Sequence, residues 1–330
     1  MTGYDPFHKL LEMSSGYTLS RCLHVVADLG VADALDDGPR PVADLASSVG
    51  AHPDALGRIL RLLSAHGVFE PDGDSYRHSP ASRLLRSDHP QSVRPLVRMF
   101  GLQINWAIFG ELEHAVRTGL PAAEKVLPGG FWSRFARYPD EGAIFNAAMT
   151  AKAQGQVAAV VAAYDFSGFG LVGDIGGGRG HLLRAVLDSA PATRGMLFDL
   201  PAVVADAAGV ASDRLSLQGG DFFKDPLPAC DAYLVMEVIH DWGDEESVAI
   251  LKAIRRAAPS HARLLLIEQM VPDDPGPHWS KTLDVNMLAL LGGKQRTRGE
   301  YETLLDRAGF SFERDIDTGA DISILEAVPV

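Results

Sequence analysis

The sequence has few cysteines, no long apolar run and no visible signal peptide. Its 330 residues contain two cysteines, Cys22 and Cys230, too few for a disulfide framework and without the spacing of a metal site. No apolar segment reaches the roughly 18 residues that a membrane-spanning helix needs. The N-terminus carries Asp5, Lys9 and Glu12 among short apolar runs, unlike a signal peptide. We therefore expect a cytoplasmic protein with no metal and no membrane partner.

Positive charge is also scarce. Thirty Lys and Arg residues stand against 43 Asp and Glu residues, which gives a formal net charge of −13. Proteins that bind nucleic acid or anionic membranes through general electrostatics carry the opposite sign. The balance predicts no nucleic-acid partner and leaves a small-molecule site open.

Residues 40–86 are typical of a winged helix. Asp44 begins one short helix that Gly50 ends, and Pro53 begins a second with an apolar face. The letters "VFE", "PDGD" and "SYRHS" then predict a two-stranded wing. This stretch holds six Arg and five acidic residues, so it has no basic face for DNA. A role in packing and dimer formation is favoured over a DNA-binding regulator that senses a ligand.

Residues 90–165 predict helices throughout, because apolar residues recur at a period near 3.6. The second half of this stretch is rich in aromatic and Met side chains. Such a stripe is most often core, but its place directly before a glycine-rich loop also suits the roof of an apolar ligand pocket.

From residue 170 onward, short apolar strands alternate with helices. Five strands are predicted, of which "LVGDI" is the first, "AYLVMEVI" the fourth and "RLLLIEQMV" the fifth, with the fourth ending near Ile239. This alternation predicts an α/β fold with a mostly parallel sheet whose ligands bind at the carboxyl ends of the strands.

The loop "LVGDIGGGRGHLL" does not fit the common phosphate-binding patterns. It lacks the Lys-Ser/Thr pair of a phosphate loop, and His181 stands where the dinucleotide fingerprint needs its third glycine. Asp174, at the end of the strand, would repel a diphosphate but not a cationic ligand. Asp199 and Asp221 close the next two strands, where acids suit ribose hydroxyls and an adenine amine, with Phe222 against the base. The combination favours S-adenosylmethionine (SAM).

The motifs "DIGGGRG", "FDLPAVV", "GGDFF", "EVIHDWGDEE" and "DVNMLALLGGKQRT" resemble the SAM-dependent O-methyltransferases of plant phenols, acetylserotonin and bacterial polyketides or phenols. The resemblance covers nearly the whole chain. It implies a Rossmann-like class I methyltransferase domain with a seven-stranded sheet over 166–330, a helical substrate-pocket region over 91–165 and a winged-helix dimerisation domain over 1–90. It also implies a homodimer. The cofactor-binding residues expected are Asp174, Gly176, Gly178, Asp199, Leu200, Asp221, Phe222 and Met236.

The resemblance further implies that His240 is the general base for a phenolic or aromatic hydroxyl of a secondary metabolite. A phenol, with a pKa of about 10, attacks poorly until it loses its proton, and histidine accepts protons near neutral pH. Glu268 ends the fifth strand, and if that strand lies beside the fourth, it orients the imidazole. Asp241 caps the helix that begins at Asp244 or holds the loop.

Two positions depart from the family pattern. Gln295 stands where some members have a second glutamate; its neutral amide hydrogen-bonds His240 but does not stabilise its charge. Met236 stands where many have a lysine near the cofactor. Carbon methylation, or hydroxylation, decarboxylation or cyclisation with SAM as a charged prop, therefore stays an alternative.

Matching to the family also suggests an acceptor pocket suited to a flat aromatic molecule. The residues expected to line it are Phe131, Trp132, Phe145, Met149, Asn286, Met287 and Leu291.

Overall fold

The computed structural model describes residues 5–35 and 37–330. The chain divides into two compact units. One comprises the chain up to Ala107 together with Trp132–Lys152, and the other comprises Ile108–Phe131 together with Ala153–Val330. The predicted helical region 91–165 thus contributes to both units, and the three-part division by residue range stays a proposal.

The first part of the chain is helical apart from three short strands. Its elements are α1 (Pro6–Ser14), α2 (Gly16–Leu29), β1 (Arg40–Pro41), α3 (Val42–Ser48), α4 (Pro53–Ala65), β2 (Phe69–Asp72), β3 (Ser75–His78), α5 (Pro80–Arg83), α6 (Arg94–Phe100), α7 (Gln103–Gly110), α8 (Leu112–Thr118), α9 (Ala123–Val126), α10 (Phe131–Arg137) and α11 (Pro139–Ala163).

The winged helix is present. Strands β2 and β3 form an antiparallel hairpin, and β1 pairs with β3 on its other side. Helix α4 begins at Pro53 and buries Leu56, Leu60 and Leu63, spaced four and three residues apart on one face. Helix α3 begins at Val42 instead of Asp44, because Pro41 precedes it in extended conformation, and Asp44 lies in its first turn.

The second part of the chain alternates strands and helices. Its elements are β4 (Leu171–Ile175), α12 (His181–Ser189), β5 (Arg194–Asp199), α13 (Pro201–Asp206), a 3-10 turn (Ala208–Val210), β6 (Leu215–Gly219), β7 (Ala232–Met236), a second 3-10 turn (Ile239–Asp241), α14 (Asp244–Ala257), β8 (Arg263–Glu268), α15 (Trp279–Leu290), α16 (Arg298–Ala308), β9 (Phe310–Ala320) and β10 (Ile322–Pro329).

Seven of these strands form one sheet in the order β6-β5-β4-β7-β8-β10-β9. The first five run parallel, whereas β10 runs antiparallel to both β8 and β9. Strands β4, β7 and β8 are buried along almost their whole length, as expected where both faces of a sheet are covered. The Rossmann-like class I fold is thereby confirmed.

The order of the strands defines where a ligand binds. From β4 the chain proceeds outward to β5 and β6, then returns to place β7 on the opposite side of β4. Such a reversal opens a crevice beyond the carboxyl ends of the two central strands. The glycine turn follows β4 and the His240 turn follows β7, so both lie at this switch point.

Candidate active site

The glycine turn after β4 leaves almost no room for side chains. Gly176 has φ +71°, and a Cβ there would lie 2.8 Å from the Val238 side chain. At Gly177 a Cβ would lie 2.4 Å from the Asp174 carboxyl carbon and 2.5 Å from Leu197. At Gly178 it would meet no atom within 4 Å. The turn is therefore packed against the protein at its first two glycines and open at the third.

Asp199, the last residue of β5, fastens this turn. One carboxylate oxygen accepts a hydrogen bond from the Gly178 N–H at 2.8 Å, and the other accepts one from the Leu200 N–H at 2.7 Å. Each oxygen keeps a lone pair for a further donor. Burial raises the pKa of Asp199, although the two backbone bonds oppose that rise.

Asp174 is a buried acid beneath the turn. It is 1% exposed, and its Oδ2 has no hydrogen-bond partner among the residues that the structure describes. Burial, and then the charge of Asp199, raise the pKa of Asp174 to about 7. Two acids whose ionised forms are disfavoured next to each other are suited to a ligand that brings positive charge.

His240 and Glu268 form a buried pair at the adjoining strand ends. The His240 Nδ1 lies 2.7 Å from Glu268 Oε2, while Glu268 Oε1 accepts from the backbone N–H groups of Ile239 and His240. Strands β7 and β8 are parallel neighbours, which places the carboxylate beside the turn that carries the imidazole. The three bonds to one carboxylate fix the ring.

The surroundings of His240 favour its protonated form. Burial by itself lowers the pKa, but the charge and hydrogen bond of Glu268, with smaller contributions from Asp241 and Glu237, raise it to about 9. Asp241 Oδ1 lies 3.5 Å from His240 Nε2, too far for a strong hydrogen bond. Nε2 is thus the ring nitrogen left to exchange a proton with a ligand.

The route of the chain after β7 differs from the prediction. The strand ends at Met236, not near Ile239, because Glu237 adopts φ +53°, although its N–H still donates to the Ile267 carbonyl of β8. The next free N–H groups donate to the Glu268 carboxylate. These bonds stabilise a 3-10 turn where the prediction has the strand continue. Asp241 does not cap α14 either, because Gly243 occupies the cap position.

The segment 293–296 packs directly against the His240 turn. The Lys294 N–H donates to the His240 carbonyl at 2.9 Å, and a Cβ at Gly293 would lie within 2.1 Å of that oxygen. Arg296, fully buried, donates to the carbonyls of Ile239 and Trp242. The expected hydrogen bond from Gln295 to His240 is not formed, since both side-chain amide atoms lack a partner among the described residues.

Comparison with known proteins gives this arrangement its family. Residues 109–311 match the O-methyltransferase domain model, and residues 11–88 match the O-methyltransferase dimerisation domain. The chain belongs to the SAM-dependent O-methyltransferases. The phenazine O-methyltransferase of Lysobacter antibioticus is 40% identical over 328 residues, which cover 97% of this chain and 96% of the relative.

Two solved methyltransferase structures share the whole fold. A methyltransferase of calicheamicin biosynthesis, with S-adenosylhomocysteine bound, is 34% identical with a TM-score of 0.89, covering 99% of this chain and all of that one. An enzyme of neocarzinostatin biosynthesis, in complex with SAM and 2-hydroxy-5-methyl naphthoic acid, is 33% identical with a TM-score of 0.78, covering 94% and 96%.

The residues of this methyltransferase fit SAM as its cofactor. The buried Asp174 oxygen without a partner among the described residues would suit the positive charge of a cationic nucleoside, and the spare lone pairs of Asp199 would suit ribose hydroxyls. The open side of Gly178 lets a ligand approach the backbone closely. Among the described residues no group of His, Cys, Asp and Glu is arranged to hold a metal.

Substitutions at Gly177 and Gly178 are expected to affect different properties, stability at the first and cofactor binding at the second. We expect Gly177→Ala to lower the melting temperature, because its Cβ would overlap Asp174 and Leu197. We expect Gly178→Ala to cost only the strain of φ +58°, about 1 kcal/mol, while weakening SAM binding about tenfold or more, because its Cβ fills the open side. Thermal melts and calorimetric SAM titration measure both effects. Equal loss of SAM affinity in the two variants, without a drop in melting temperature for Gly177→Ala, contradicts this division.

Asp221 and Phe222 follow β6 and lie beside an aromatic cluster. Asp221 is already engaged: its oxygens accept from the Phe223 N–H and from Lys224 Nζ, and this lowers its pKa. Phe222 packs edge-on against Phe223 and Trp242, with ring centroids 4.8 and 5.9 Å away. Trp242 therefore joins the Phe222 loop to the His240 turn.

Of the residues expected to line the acceptor pocket, three lie in the first unit: Trp132, Phe145 and Met149. Trp132 and Phe145 form an aromatic cluster with Phe135, in which the two phenylalanine rings stack at 4.6 Å. The remaining residues are half-buried or buried and lie on α10, on α11 and at the end of α15: Phe131, Met149, Asn286, Met287 and Leu291.

Two residues at the site were not singled out from the sequence. Glu237 at the turn after β7 is the one described non-glycine residue with positive φ, and its carboxylate lies 3.3 Å from Gln156 Nε2. Arg296 lies within the quoted motif "GGKQRT", but nothing in the local pattern indicates that its guanidinium donates hydrogen bonds to the backbone of the His240 turn.

Proposed function

We propose that this enzyme transfers a methyl group from SAM to an aromatic hydroxyl of a small planar secondary metabolite, with His240 as general base. The observation that carries the proposal is the buried His240–Glu268 pair, 2.7 Å apart, at the switch point beside the glycine turn. The relatives of the chain, among them a phenazine O-methyltransferase, support an aromatic acceptor.

The chain's own residues account for the proton. SAM supplies an electrophilic methyl group on a sulfonium sulfur. Transfer of that methyl group to the hydroxyl oxygen would leave the electron pair of the broken S–C bond on sulfur, as S-adenosylhomocysteine. His240 Nε2 takes the hydroxyl proton, and Glu268 stabilises the imidazolium through Nδ1. Asp241, 3.5 Å from Nε2, adds a smaller electrostatic contribution.

We assign the cofactor to the strand ends around the glycine turn. Asp174 neutralises positive charge, the backbone at Gly176 and Gly178 lies against the nucleoside, and Asp199 with the Leu200 segment holds the ribose. The other assigned contacts flank the adenine and the methionine part: Asp221, Phe222 and Met236.

We assign the acceptor to the predicted lining set. Phe131, Trp132, Phe145, Met149, Met287 and Leu291 supply flat or flexible apolar surface, and Asn286 supplies one polar contact. Such a lining favours a flat aromatic ring over a sugar or a peptide.

The reaction itself is tested with SAM carrying a labelled methyl carbon. The purified enzyme is incubated with phenolic acceptors, S-adenosylhomocysteine is measured by chromatography, and the position of the methyl group is read by carbon-detected correlation NMR. We expect equal amounts of S-adenosylhomocysteine and of a methyl ether. A carbon-bound methyl group, or acceptor turnover without S-adenosylhomocysteine, contradicts the proposal.

We also propose that the enzyme is a homodimer, located in the cytoplasm and without nucleic-acid or membrane partners. The dimerisation-domain match covers residues 11–88, and helices α1 and α2 present exposed apolar side chains. These are Phe7, Leu10, Leu11, Met13 and Tyr17. Along the described ranges, no helix is long and apolar enough to cross a membrane.

Charge on this apolar face is expected to produce monomers. Leu10, 67% exposed, and Met13, 69% exposed, become aspartates in the test variant, because buried unpaired charges oppose association. Light scattering at micromolar concentration measures the mass. Val116→Asp, at a residue 73% exposed on α8, is the matched control and is expected to stay dimeric. A wild-type protein of monomeric mass contradicts the dimer.

A further inference from the structure

Gln295 is a buried polar side chain whose amide has no partner within the part of the chain that the structure describes. It is 2% exposed, and neither its Oε1 nor its Nε2 makes a hydrogen bond to any residue that the structure describes. Buried polar atoms in native proteins are almost always satisfied, so an amide with both ends unpaired indicates a ligand that completes it.

The backbone around Gln295 is fixed by the elements that carry the proposed base. Its own N–H donates to Asp284 Oδ1 on α15 at 2.9 Å. The preceding residue is bonded to the His240 carbonyl, and the following one, Arg296, holds the carbonyls of Ile239 and Trp242. The Arg296 carbonyl accepts from the Val271 N–H, three residues after Glu268. The backbone of residue 295 is therefore held between one residue bonded to the His240 turn and one bonded to the segment that follows Glu268.

The charge around this position defines what its amide recognises. The negative charges of Glu268, Asp241 and Glu237 all raise the pKa of His240, so the site already holds three carboxylates. A carboxylate at 295 would repel any acceptor oxygen that carries negative charge. An amide is neutral, and its Nε2 offers two N–H donors. The side chain therefore suits an acceptor with a hydrogen-bond-accepting oxygen next to the reacting hydroxyl.

We propose that Gln295 is a specificity-determining residue that selects aromatic acceptors whose reacting hydroxyl is flanked on the adjacent ring position by a carbonyl or carboxylate oxygen. The inference rests on the proposed methyl transfer. Nε2–H donates to the flanking oxygen, which releases the internal O–H···O bond of such a molecule. The hydroxyl proton then becomes available to His240 Nε2.

The test uses regioisomers that differ only in where the oxygen stands. 2-Acetyl-1-naphthol carries a flanking carbonyl, and 4-acetyl-1-naphthol carries the same group out of reach. We expect wild-type kcat/KM to favour the flanked isomer about tenfold or more, since sites built to pair a polar group reject analogues without it. Gln295→Met keeps the size and removes the amide, and it should abolish the preference by raising KM for the flanked isomer alone.

A charged variant separates the two kinds of flanking oxygen. Gln295→Glu should weaken binding of 1-hydroxy-2-naphthoate, an anion, more than binding of 2-acetyl-1-naphthol, which is neutral. If the wild-type enzyme prefers only 1-hydroxy-2-naphthoate, the flanking group that it recognises is a carboxylate. If it also prefers 2-acetyl-1-naphthol, a carbonyl or a carboxylate oxygen suffices. The inference is overturned if Gln295→Met lowers kcat/KM for both acetylnaphthols by the same factor while the melting temperature stays unchanged.

Calorimetric titration of the same probes with S-adenosylhomocysteine present distinguishes this inference from the reaction. A flanked-isomer preference in Kd that vanishes in Gln295→Met, with no methyl transfer to any probe, supports the recognition role and contradicts the proposed reaction. Absence of any preference in wild-type Kd, or no binding of the flanked probes, overturns the recognition role whatever the activity.

Discussion

Replacing His240 with alanine is expected to lower kcat about a thousandfold at pH 7 for a phenol of ordinary acidity. The imidazole Nε2 is the group left to take the hydroxyl proton, because Nδ1 is bonded to Glu268 at 2.7 Å. Without it, only the small fraction of phenol already ionised is reactive. The loss should therefore shrink as the pH approaches about 10. Initial rates of S-adenosylhomocysteine formation between pH 6 and 10 measure this.

The acidity of the acceptor gives the sharper form of the same experiment. A phenol with a strongly electron-withdrawing substituent is already ionised at pH 7, so the alanine variant should lose far less activity with it. His261→Ala is the matched control, because His261 is a surface histidine of the same unit, paired to Asp231, and its loss should leave kcat unchanged. A variant at position 240 that retains near-full activity with weakly acidic phenols would show that another group takes the proton.

The sheet and its binding edge were predictable because their signals are local. Each of the strands β4, β7 and β8 is a short apolar run, and the glycine turn with acids at the following strand ends stands out in the sequence. Parallel strands place those ends on one edge, so Asp174 and Asp199 meet without any knowledge of side-chain packing. Strand neighbourhood likewise placed Glu268 beside His240.

What could not be predicted depends on contacts between distant segments. The turn at Glu237 interrupts an apolar run that continues to Ile239, and it arises because Glu268, 29 residues beyond Ile239, captures the N–H groups. Arg296 clamps the same turn from 57 residues beyond Ile239. Neither bond leaves a periodic pattern, since each joins a side chain to a backbone that is far away in sequence. The amide of Gln295, which has no hydrogen-bond partner among the described residues, leaves no such pattern either.

Replacing Glu268 with glutamine should be nearly as damaging as removing His240, although the two side chains have the same shape. The carboxylate accepts at both oxygens: Oε2 from His240 Nδ1 and Oε1 from the Ile239 N–H. A glutamine keeps one acceptor, so the retained backbone bond leaves its NH2 facing Nδ1. The imidazole must then carry its proton on Nε2, which removes the base. In serine hydrolase triads the same kind of change costs about 10⁴ in kcat.

The pH profile separates this tautomer effect from a loss of charge. With the pKa of His240 at about 9, wild-type kcat/KM should rise with pH until about 9 and then level off, because only the neutral ring accepts the proton. Glu268→Gln removes the largest of the contributions that raise this pKa, so burial moves the rising limb towards acid and the plateau falls as well. Asp241→Asn is the comparison, because Asp241 contributes less to the pKa of His240 and does not contact Nδ1. In this variant the rising limb of the kcat/KM profile should shift slightly, and its plateau should stay almost unchanged. If Glu268→Gln moved the limb but kept the plateau, Glu268 would act on His240 through charge alone, and its role in holding the tautomer would be wrong.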